Sequence, residues 1–483
     1  MYGDWEVKDW TLDIRRLYYE YVDGYRQNGE LPLMMALKLQ HTDMVVANAR
    51  AIAEGEGLDA ETVSVCELAA LLHDTGRYEQ LRVYNTFRDS DSVDHAVFSH
   101  DIVRDKGWID DHPHKKAILD AVLFHNRREI PDGLDPITVA VAHCVRDADK
   151  LDIFRVLEDR VANSDWCNDN TAFWSLPVHE KANPEIVEAV RKGLPVDYQN
   201  IKSLADFVLI QVGWLRSELH FGTSRKLAYE RGHLAFRRRF LAELTDGDGE
   251  VDSLCTRMPL GEITLDDVSA ELKKGNRVLL MVRHGERPEI DTEDPTFGEA
   301  LPLTAEGVRT SREMGARLRE FAGEAQFLSS PLRRTVMTAK GIAEGMGLAD
   351  MDIMTDPLLG NDTLYCADQR EVFELLREGD FFEHVFTYMR TGVQRGFCQI
   401  DKATDALEKW ALEKFTARLG IFTTHDLYNA SFLHARGVKR DWKVQDWVRF
   451  LDSAAIIIDP DGTRRYAFVR TGLSFGIVGV SNG

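Results

Sequence analysis

The spacing of apolar residues changes once along the chain. Up to about residue 240, apolar positions recur three and four residues apart, as in VCELAALLHD (65–74) and KKAILDAVLFHN (115–126), and strand-like runs are few. A period near 3.6 residues is that of the buried face of an α-helix. The first half is therefore predicted to be all-helical.

From about residue 276 the pattern alternates between short apolar runs and helical stretches. The runs RVLLMVRH (277–284), AQFLSS (325–330), LGIFTTHD (419–426) and SAAIIID (453–459) are typical of buried strands. Helical stretches follow the first two runs, and Thr304 is the expected N-cap of one of them. Alternation of this kind predicts an α/β domain with a mostly parallel sheet.

These patterns divide the chain into three parts. We expect a helical domain at 1–242, a boundary region at 243–275 and an α/β domain at 276–483. The polar, glycine-containing stretch LTDGDGEVDS (244–253) marks the boundary.

Composition and charge narrow the classes of partner. The chain has 483 residues, of which 44% are hydrophobic, and a net charge of −21. Such a surface repels nucleic acid and anionic membranes, so neither is an expected partner, whereas a local arginine cluster can still bind an anionic substrate.

Six scattered cysteines without C-x-x-C spacing argue against a disulfide framework and a cysteine zinc site. No signal peptide or membrane-spanning run is recognisable, so we expect a cytoplasmic protein, of undetermined oligomeric state.

Histidines and aspartates in the first half form a candidate metal site. The positions are His41, the His73-Asp74 pair, His95, His125 and Asp149. A single histidine on the apolar face of a helix is usually an ordinary core residue. Several together with two carboxylates are instead the ligand set of Mn, Fe, Ni or Zn, and the lack of thiolates disfavours a purely structural zinc site.

The order H…HD…H…H…D, with LLHDTG at 71–76 and RDADKLD at 146–152, resembles the HD superfamily of metal-dependent phosphohydrolases. The likeness spans about 30–160, with helices to about 240 completing the domain. It implies that the core metal ligands are His41, His73, Asp74 and Asp149. His95 and His125 match the additional histidines of members that hold two ions, so one or two divalent ions are expected. Lys150, together with Arg77 and Arg88, is a candidate contact for the substrate's phosphate, and Asp147 and Asp152 are expected to support the ligands or to face solvent.

The dipeptide His-Asp recurs at His100-Asp101, where we expect it to be incidental. His100 lies five residues after His95, which rotates it about 140° around a helix. If His95 faces the metal site, His100 faces away from it.

A third His-Asp pair belongs to a set of charged residues at predicted strand ends. One strand ends in Arg283 and His284, and a later one ends in His425 and Asp426. A third strand, which lies between these two in the sequence, ends in SSPLRRT and supplies Arg334 and Arg333. Arg333 is expected to be exposed. Ligands of open α/β sheets bind beyond the carboxyl ends of the strands, so these side chains are expected to share one pocket.

The motifs RHGERP, PLTAEG, SSPLRRT and TTHD, in this order, resemble the histidine phosphatase superfamily, which includes phosphoglycerate mutases and histidine acid phosphatases. The likeness covers about 276–460. It implies a phosphoglycerate mutase-like fold without a metal cofactor, in which His284 is the nucleophile that becomes phosphohistidine. The residues implied to hold the phosphoryl group are Arg283, Arg287, Arg334 and His425.

The identity of the proton donor depends on the branch of that superfamily. RHGERP and THD are similar to the acid phosphatase branch, whose donor would be Asp426 here. The compact domain is closer in size to the mutase-like branch, which uses a glutamate located earlier in the chain. LLGNDTLY has no glutamate, although Asp362 or Glu371 could take that role. We expect Asp426 to be the donor.

Together these features predict a two-domain phosphohydrolase that acts on a small phosphorylated metabolite. The first domain would hydrolyse a phosphoester with a metal, and the second would hydrolyse a phosphomonoester through phosphohistidine. One hypothesis is that the first opens a diester or pyrophosphate and the second strips the resulting monoester.

Two other functions stay open. Some helical domains with the same six-ligand order resemble inositol oxygenase, a diiron enzyme, and iron content with O₂ uptake would identify that chemistry. Alternatively, the protein is a sensor that binds a phosphorylated metabolite without turnover.

Overall fold

A computed structural model describes residues 10–168, 173, 175–196, 198–290, 298–348, 351–360, 364–378 and 380–474. The chain divides into two compact units, Met1–Cys255 and Thr256–Gly483. Cys66, Cys144, Cys167 and Cys255 are free thiols. Within the described ranges, no helix has both the length and the apolar character needed to cross a bilayer.

The described part of the first unit is helical. Its α-helices are α1 (Trp10–Asp23), α2 (Leu33–Gly55), α3 (Ala60–Leu72), α4 (Gly76–Tyr84), α5 (His95–Lys106), α6 (Lys115–Phe124), α7 (Pro136–Asn163), α8 (Pro184–Lys192), α9 (Leu204–Gly213), α10 (Gly222–Glu230), α11 (His233–Leu244) and α12 (Gly249–Leu254). Short 3-10 helices lie at Asp89–Asp91 and Tyr198–Asn200, and a π-helical turn lies at Trp214–Glu218.

Four of these helices form the centre of the unit. α2 packs on α3 and α7, and α6 packs on α7, α5 and α3. α3 is buried along nearly its whole length, which explains why its sequence is apolar on more than one face. Side chains that point inward from α2, α6 and α7 therefore meet at the ends of α3.

The second unit is built on one six-stranded sheet. Its strands are β1 (Arg257–Thr264), β2 (Arg277–Arg283), β3 (Ala325–Ser329), β4 (Leu419–Thr424), β5 (Ser453–Ile458) and β6 (Arg464–Arg470). Its α-helices are α13 (Leu265–Lys273), α14 (Ala305–Arg317), α15 (Arg333–Met346), α16 (Gln369–Arg377), α17 (Phe381–Thr391), α18 (Ile400–Lys414) and α19 (Asp426–Ala435). Shorter 3-10 helices lie at Arg319–Glu324, Pro357–Leu359 and Val444–Asp446.

The sheet is mostly parallel, as predicted. Its strand order is β1-β6-β5-β2-β4-β3, and only β5 runs antiparallel to its two neighbours. β2 and β4 are parallel neighbours with Arg283 opposite Thr424, so their carboxyl ends adjoin. Apolar clusters cover both faces of the sheet, which accounts for the continuous apolar run in β2.

Helices α14 and α15 approach each other closely through glycines. A Cβ added at Gly315 would lie 2.0 Å from the Ile342 carbonyl oxygen, and one added at Gly345 would lie 2.0 Å from that of Arg312. Only glycine permits this backbone-to-backbone contact. Thr304 caps α14 as predicted, because its hydroxyl accepts a hydrogen bond from the Gly307 amide.

Two details differ from the expectations. Residues 243–275, expected to be a boundary region, contain α12, β1 and α13, and the two units meet at Cys255 and Thr256. The polar stretch 244–253 thus contains the end of α11 and the start of α12, because Asp248 caps α12. LLHDTG, expected within one helix, spans the junction at which α3 ends and α4 begins.

Candidate functional sites

Five helices bring the predicted metal ligands of the first unit together. α2 and α7 each contribute a residue from their middle, α5 contributes its first residue, and the ends of α3 and α6 contribute the rest. Those residues are His41, Asp149, His95, His73, Asp74 and His125. All are buried except Asp149, which is partly exposed. Gly76 allows α4 to pack on α5 here, since a Cβ there would lie 2.7 Å from the Ser99 amide nitrogen.

The six side chains form two adjoining ligand groups. His41, His73 and Asp149 make up one group, and Asp74, His95 and His125 make up the other, with the candidate ligand atoms of each group within 4.8 Å of one another. His41 Nε2 lies 3.1 Å from Asp149 Oδ1 in the first group.

Asp74 faces both groups. In the second, its Oδ1 lies 3.7 Å from His95 Nε2 and 3.8 Å from His125 Nε2. Its Oδ2 lies 3.4 Å from His73 Nε2, which belongs to the first group. Asp74 would therefore be within reach of ions held by either group.

Hydrogen bonds fix the orientation of all four imidazoles. His73 Nδ1–H donates to the Ala70 carbonyl at 2.6 Å, and His125 Nδ1–H donates to the Val122 carbonyl at 2.7 Å. The Nδ1 atoms of His41 and His95 bond to carboxylates, which belong to Asp152 and Asp89. Every Nε2 is thereby turned toward the cluster, as in metal-binding histidines.

Several buried polar atoms of the cluster have no hydrogen-bond partner. His41 Nε2, His73 Nε2 and Asp74 Oδ1 are buried without a hydrogen-bond partner. His95 Nε2 and His125 Nε2 face each other at 2.9 Å, and burial beside the neighbouring imidazoles lowers the pKa of His125 to about 3. The donor set and these unpartnered atoms fit one or two divalent cations.

Asp152, expected to support the ligands or to face solvent, orients His41. Two further polar residues beside the cluster, Asp89 and Lys38, were not predicted as partners of the ligands, and Asp89 orients His95. Lys38 lies one helical turn before His41, and its ammonium forms an ion pair with Asp74 Oδ2. Burial disfavours the charge of Asp74, but Lys38 and His73 outweigh burial and hold the pKa of Asp74 well below its usual range. Lys38 could have been found from the sequence, because its spacing from His41 places both residues on one helix face.

The remaining candidate residues of the first unit are held by contacts outside the two ligand groups. Lys150 is buried and its Nζ lies 3.7 Å from Glu218 Oε2, so it is engaged within the protein. Arg77 Nη1 donates to the Phe87 carbonyl and to Asp89. His100 pairs with its neighbour Asp101 and belongs to neither ligand group.

The second unit gathers its predicted residues where β2 and β4 end. His284 follows β2, and its amide donates to the Thr424 carbonyl at 3.0 Å. His425 and Asp426 follow β4, and Asp426 starts α19. Arg334 lies in the first turn of α15 and is buried, while Arg333 is exposed as predicted.

His284 is held with one ring nitrogen free. Its Nδ1–H donates to the Gly285 carbonyl at 2.8 Å, which leaves the lone pair on Nε2. Burial, reinforced by Arg334, His425 and Arg283, keeps the pKa of His284 well below 6.5. The imidazole is therefore neutral and able to act as a nucleophile.

Three arginines give this pocket its positive charge. The Nε atoms of Arg283, Arg287 and Arg334 are all buried without a partner. Burial lowers the pKa values of Arg287 and Arg334 to about 10, so all three remain charged at neutral pH. The Arg283 guanidinium also stacks 4.4 Å from the Phe450 ring centre. Buried, charged donors without partners are what an oxyanion would satisfy.

His425 and Asp426 complete the pocket. The rings of His284 and His425 lie 5.5 Å apart, and Ser330 Oγ lies 3.2 Å from His425 Nε2. Burial and Arg334 lower the pKa of His425 to about 3. Gly360 packs so closely that a Cβ there would overlap the His425 ring at 2.2 Å.

Asp426 is restrained by two donors. Its Oδ2 accepts from Arg283 Nη2 at 2.9 Å and from Trp447 Nε1 at 3.1 Å. Burial disfavours the carboxylate, but Arg283 and Trp447 outweigh burial and lower the pKa of Asp426. Of the alternative acids, Glu371 is exposed in α16, and Asp362 lies outside the described residues. Trp447 and Phe450 were not anticipated, since no motif includes them.

Family models match a segment in each half of the chain. Residues 39–153 match the model of the HD domain, and residues 279–362 match that of the histidine phosphatase superfamily (branch 1). No curated protein matches.

Solved structures with 14–16% identity resemble about two-fifths of this chain. A mycobacterial glucosyl-3-phosphoglycerate phosphatase is 15% identical over 40% of this chain and 97% of its own, with a TM-score of 0.28. Bacillus stearothermophilus YhfR is 15% identical over 41% and 99%, with a TM-score of 0.29. A phosphoglycerate mutase from Bacillus anthracis is 16% identical over 42% and 97%, with a TM-score of 0.27.

Proposed function

We propose that this chain is a phosphoester hydrolase that joins an HD domain to a histidine phosphatase domain, and that each domain carries its own active site. One observation carries the proposal. His73 in the first site and His284 in the second each donate Nδ1–H to a backbone carbonyl, which leaves Nε2 available to bind a metal ion in one site and to attack phosphorus in the other.

The HD site is proposed to hold one or two divalent ions of Mn, Fe, Ni or Zn. His41, His73 and Asp149 would bind one ion, and Asp74, His95 and His125 the other. When bound, such ions activate water and neutralise phosphoryl oxygens. The protein's part is to hold the six donors in place, with Asp152 and Asp89 fixing two of the rings.

The second site is proposed to hydrolyse a phosphomonoester in two steps. Asp426 is ionised in the free pocket, and a phosphoryl group that pairs with Arg283 would compete with its carboxylate and let it bind a proton. His284 Nε2 then attacks phosphorus, the bond from phosphorus to the leaving oxygen breaks, and that oxygen takes the proton from Asp426. Water then attacks the phosphohistidine, its proton passes to Asp426, and phosphate leaves. Arg283, Arg287 and Arg334 stabilise the phosphoryl oxygens, and His425 contacts the same group.

The substrate is proposed to be a small phosphorylated metabolite. His284 is only 3% exposed, so the phosphoryl group must enter the pocket to reach it. A terminal phosphate on a small molecule can do so more easily than one on a folded protein.

The test is a panel of phosphodiesters, pyrophosphates and phosphomonoesters with and without EDTA. Asp74→Ala and EDTA should abolish one activity, and His284→Ala and vanadate another. His100→Ala, which changes a histidine of an incidental His-Asp pair, is the matched control and should retain both. A single activity lost under every treatment would contradict two independent sites.

Iron with O₂ uptake would instead indicate an oxygenase, and tight metabolite binding without turnover would indicate a sensor.

A further inference from the structure

We propose that Lys38 is an exchangeable counter-cation of the HD site, which neutralises Asp74 in the metal-free protein and leaves it when metal binds. The proposal rests on the proposed function of that site, because it assumes that Asp74 is a metal ligand.

The contact is direct and reaches in from the surface. Lys38 Nζ pairs with Asp74 Oδ2, the oxygen that also faces His73 and His41. The Asp74 side chain is 3% exposed, whereas the Lys38 side chain is 21% exposed. The lysine stem thus extends from the edge of the site and places its charge inside it.

Lys38 is the cation beside Asp74 that is free to move. Arg77 also approaches Asp74, with Nε 3.6 Å from Oδ1, but its guanidinium is anchored on Gln80, Phe87 and Asp89. Among the residues that the structure describes, Lys38 forms its ion pair with Asp74 alone. A flexible four-carbon stem with one polar partner can swing outward without breaking other bonds.

Electrostatics makes the exchange necessary. A buried carboxylate needs a compensating charge, and Lys38 supplies it when no metal is bound. An ion held by His41 and His73 would also face Asp74 Oδ2, the oxygen that Lys38 contacts, and two cations at one oxygen repel each other. Metal binding must therefore displace the ammonium, and the lysine weakens metal binding by the free energy of its own pair.

The experiment is Mn²⁺ titration calorimetry on the full chain with Lys38→Met, Lys38→Arg and Lys116→Met. Lys38→Met should bind Mn²⁺ about tenfold more tightly than wild type, because no cation has to leave. Lys38→Arg keeps the charge and should bind close to wild type. Lys116→Met removes an exposed pair with Asp120 in the same domain and should not change the affinity.

A second readout does not depend on a substitution. Acetic anhydride labelling with mass spectrometry measures the reactivity of Lys38 in wild-type protein, which should rise when Mn²⁺ replaces EDTA while that of Lys116 stays constant. Unchanged Lys38 reactivity, or Lys38→Met binding Mn²⁺ no more tightly than wild type, would overturn the inference while leaving the metal site intact. If wild type binds no Mn²⁺ at the site removed by Asp74→Ala, the proposed function of the HD site fails as well.

Discussion

At the scale of single residues, the protonation state of His284 decides whether the second site can react. Its Nδ1–H is committed to the Gly285 carbonyl, and burial beside three cationic or imidazole neighbours disfavours a second proton. The nucleophile is thus kept neutral by its surroundings rather than by the pH of the solution.

A titration of His284 tests this directly. Because its pKa is depressed below 6.5 in the folded protein, His284 should stay neutral while pH falls through 6.5, where exposed histidines gain a proton. The same depression costs stability as pH falls below 6.5, since the unfolded chain then binds a proton that the native state does not. Carbon-13 NMR of labelled histidine, with His284→Ala for assignment, measures it; a midpoint at 6.5 or above would contradict the described environment.

The role of Asp426 can be separated from a merely positional one. If Asp426 protonates the leaving oxygen, Asp426→Asn should slow hydrolysis of an alkyl phosphate by about 100-fold or more, and that of p-nitrophenyl phosphate far less. The reason is that nitrophenolate leaves without a proton. If Asp426 only orients Arg283, both substrates should lose the same factor, mainly in KM. Glu371→Gln, tested in parallel, should show neither pattern.

At the scale of elements, glycines let α14 and α15 pack backbone to backbone beneath the phosphatase pocket. Gly345→Ala should destabilise the second unit by about 1–3 kcal/mol or more, because its Cβ would overlap the Arg312 carbonyl and the helices would have to separate. Urea denaturation measures the change. Gly323→Ala is the control, since a Cβ there meets nothing within 4 Å, and equal stability of the two variants would contradict the close packing.

The strands also show which parts of the fold could be predicted from the sequence. Buried central strands such as β2 and β4 were predictable because all or nearly all their residues are apolar or strand-forming. β1 and β6 were not predicted. Pro259 and Gly261 interrupt the pattern of β1 where its register shifts, and β6 begins and ends with arginine.

The sites show the same limit. The candidate metal ligands and the candidate phosphate-binding residues follow ordered motifs, so they could be proposed from the sequence. Trp447 and Phe450 lie beside the second site through tertiary packing, which no local pattern encodes, whereas the spacing of Lys38 from His41 on one helix was a usable signal.

At the scale of the whole molecule, the chain forms two separately compact units, and the proposed sites of the two units bind different ligands. Mn²⁺ should therefore raise the midpoint of one unfolding transition, and vanadate that of another, since each ligand stabilises the state that binds it. Differential scanning calorimetry checks this. Asp74→Ala should remove only the Mn²⁺ shift and His284→Ala only the vanadate shift; a single transition that responds to both ligands would contradict independent units.

The near-complete burial of His284 also sets an order of events. If His284 is phosphorylated as proposed, water can reach the buried phosphohistidine only after the alcohol product has left the pocket, so the alcohol should depart before phosphate is released. The kinetics should accordingly be of the ping-pong type. Small alcohols added in excess could then compete with water for the phosphoryl group, which would make this site a weak transferase as well as a phosphatase.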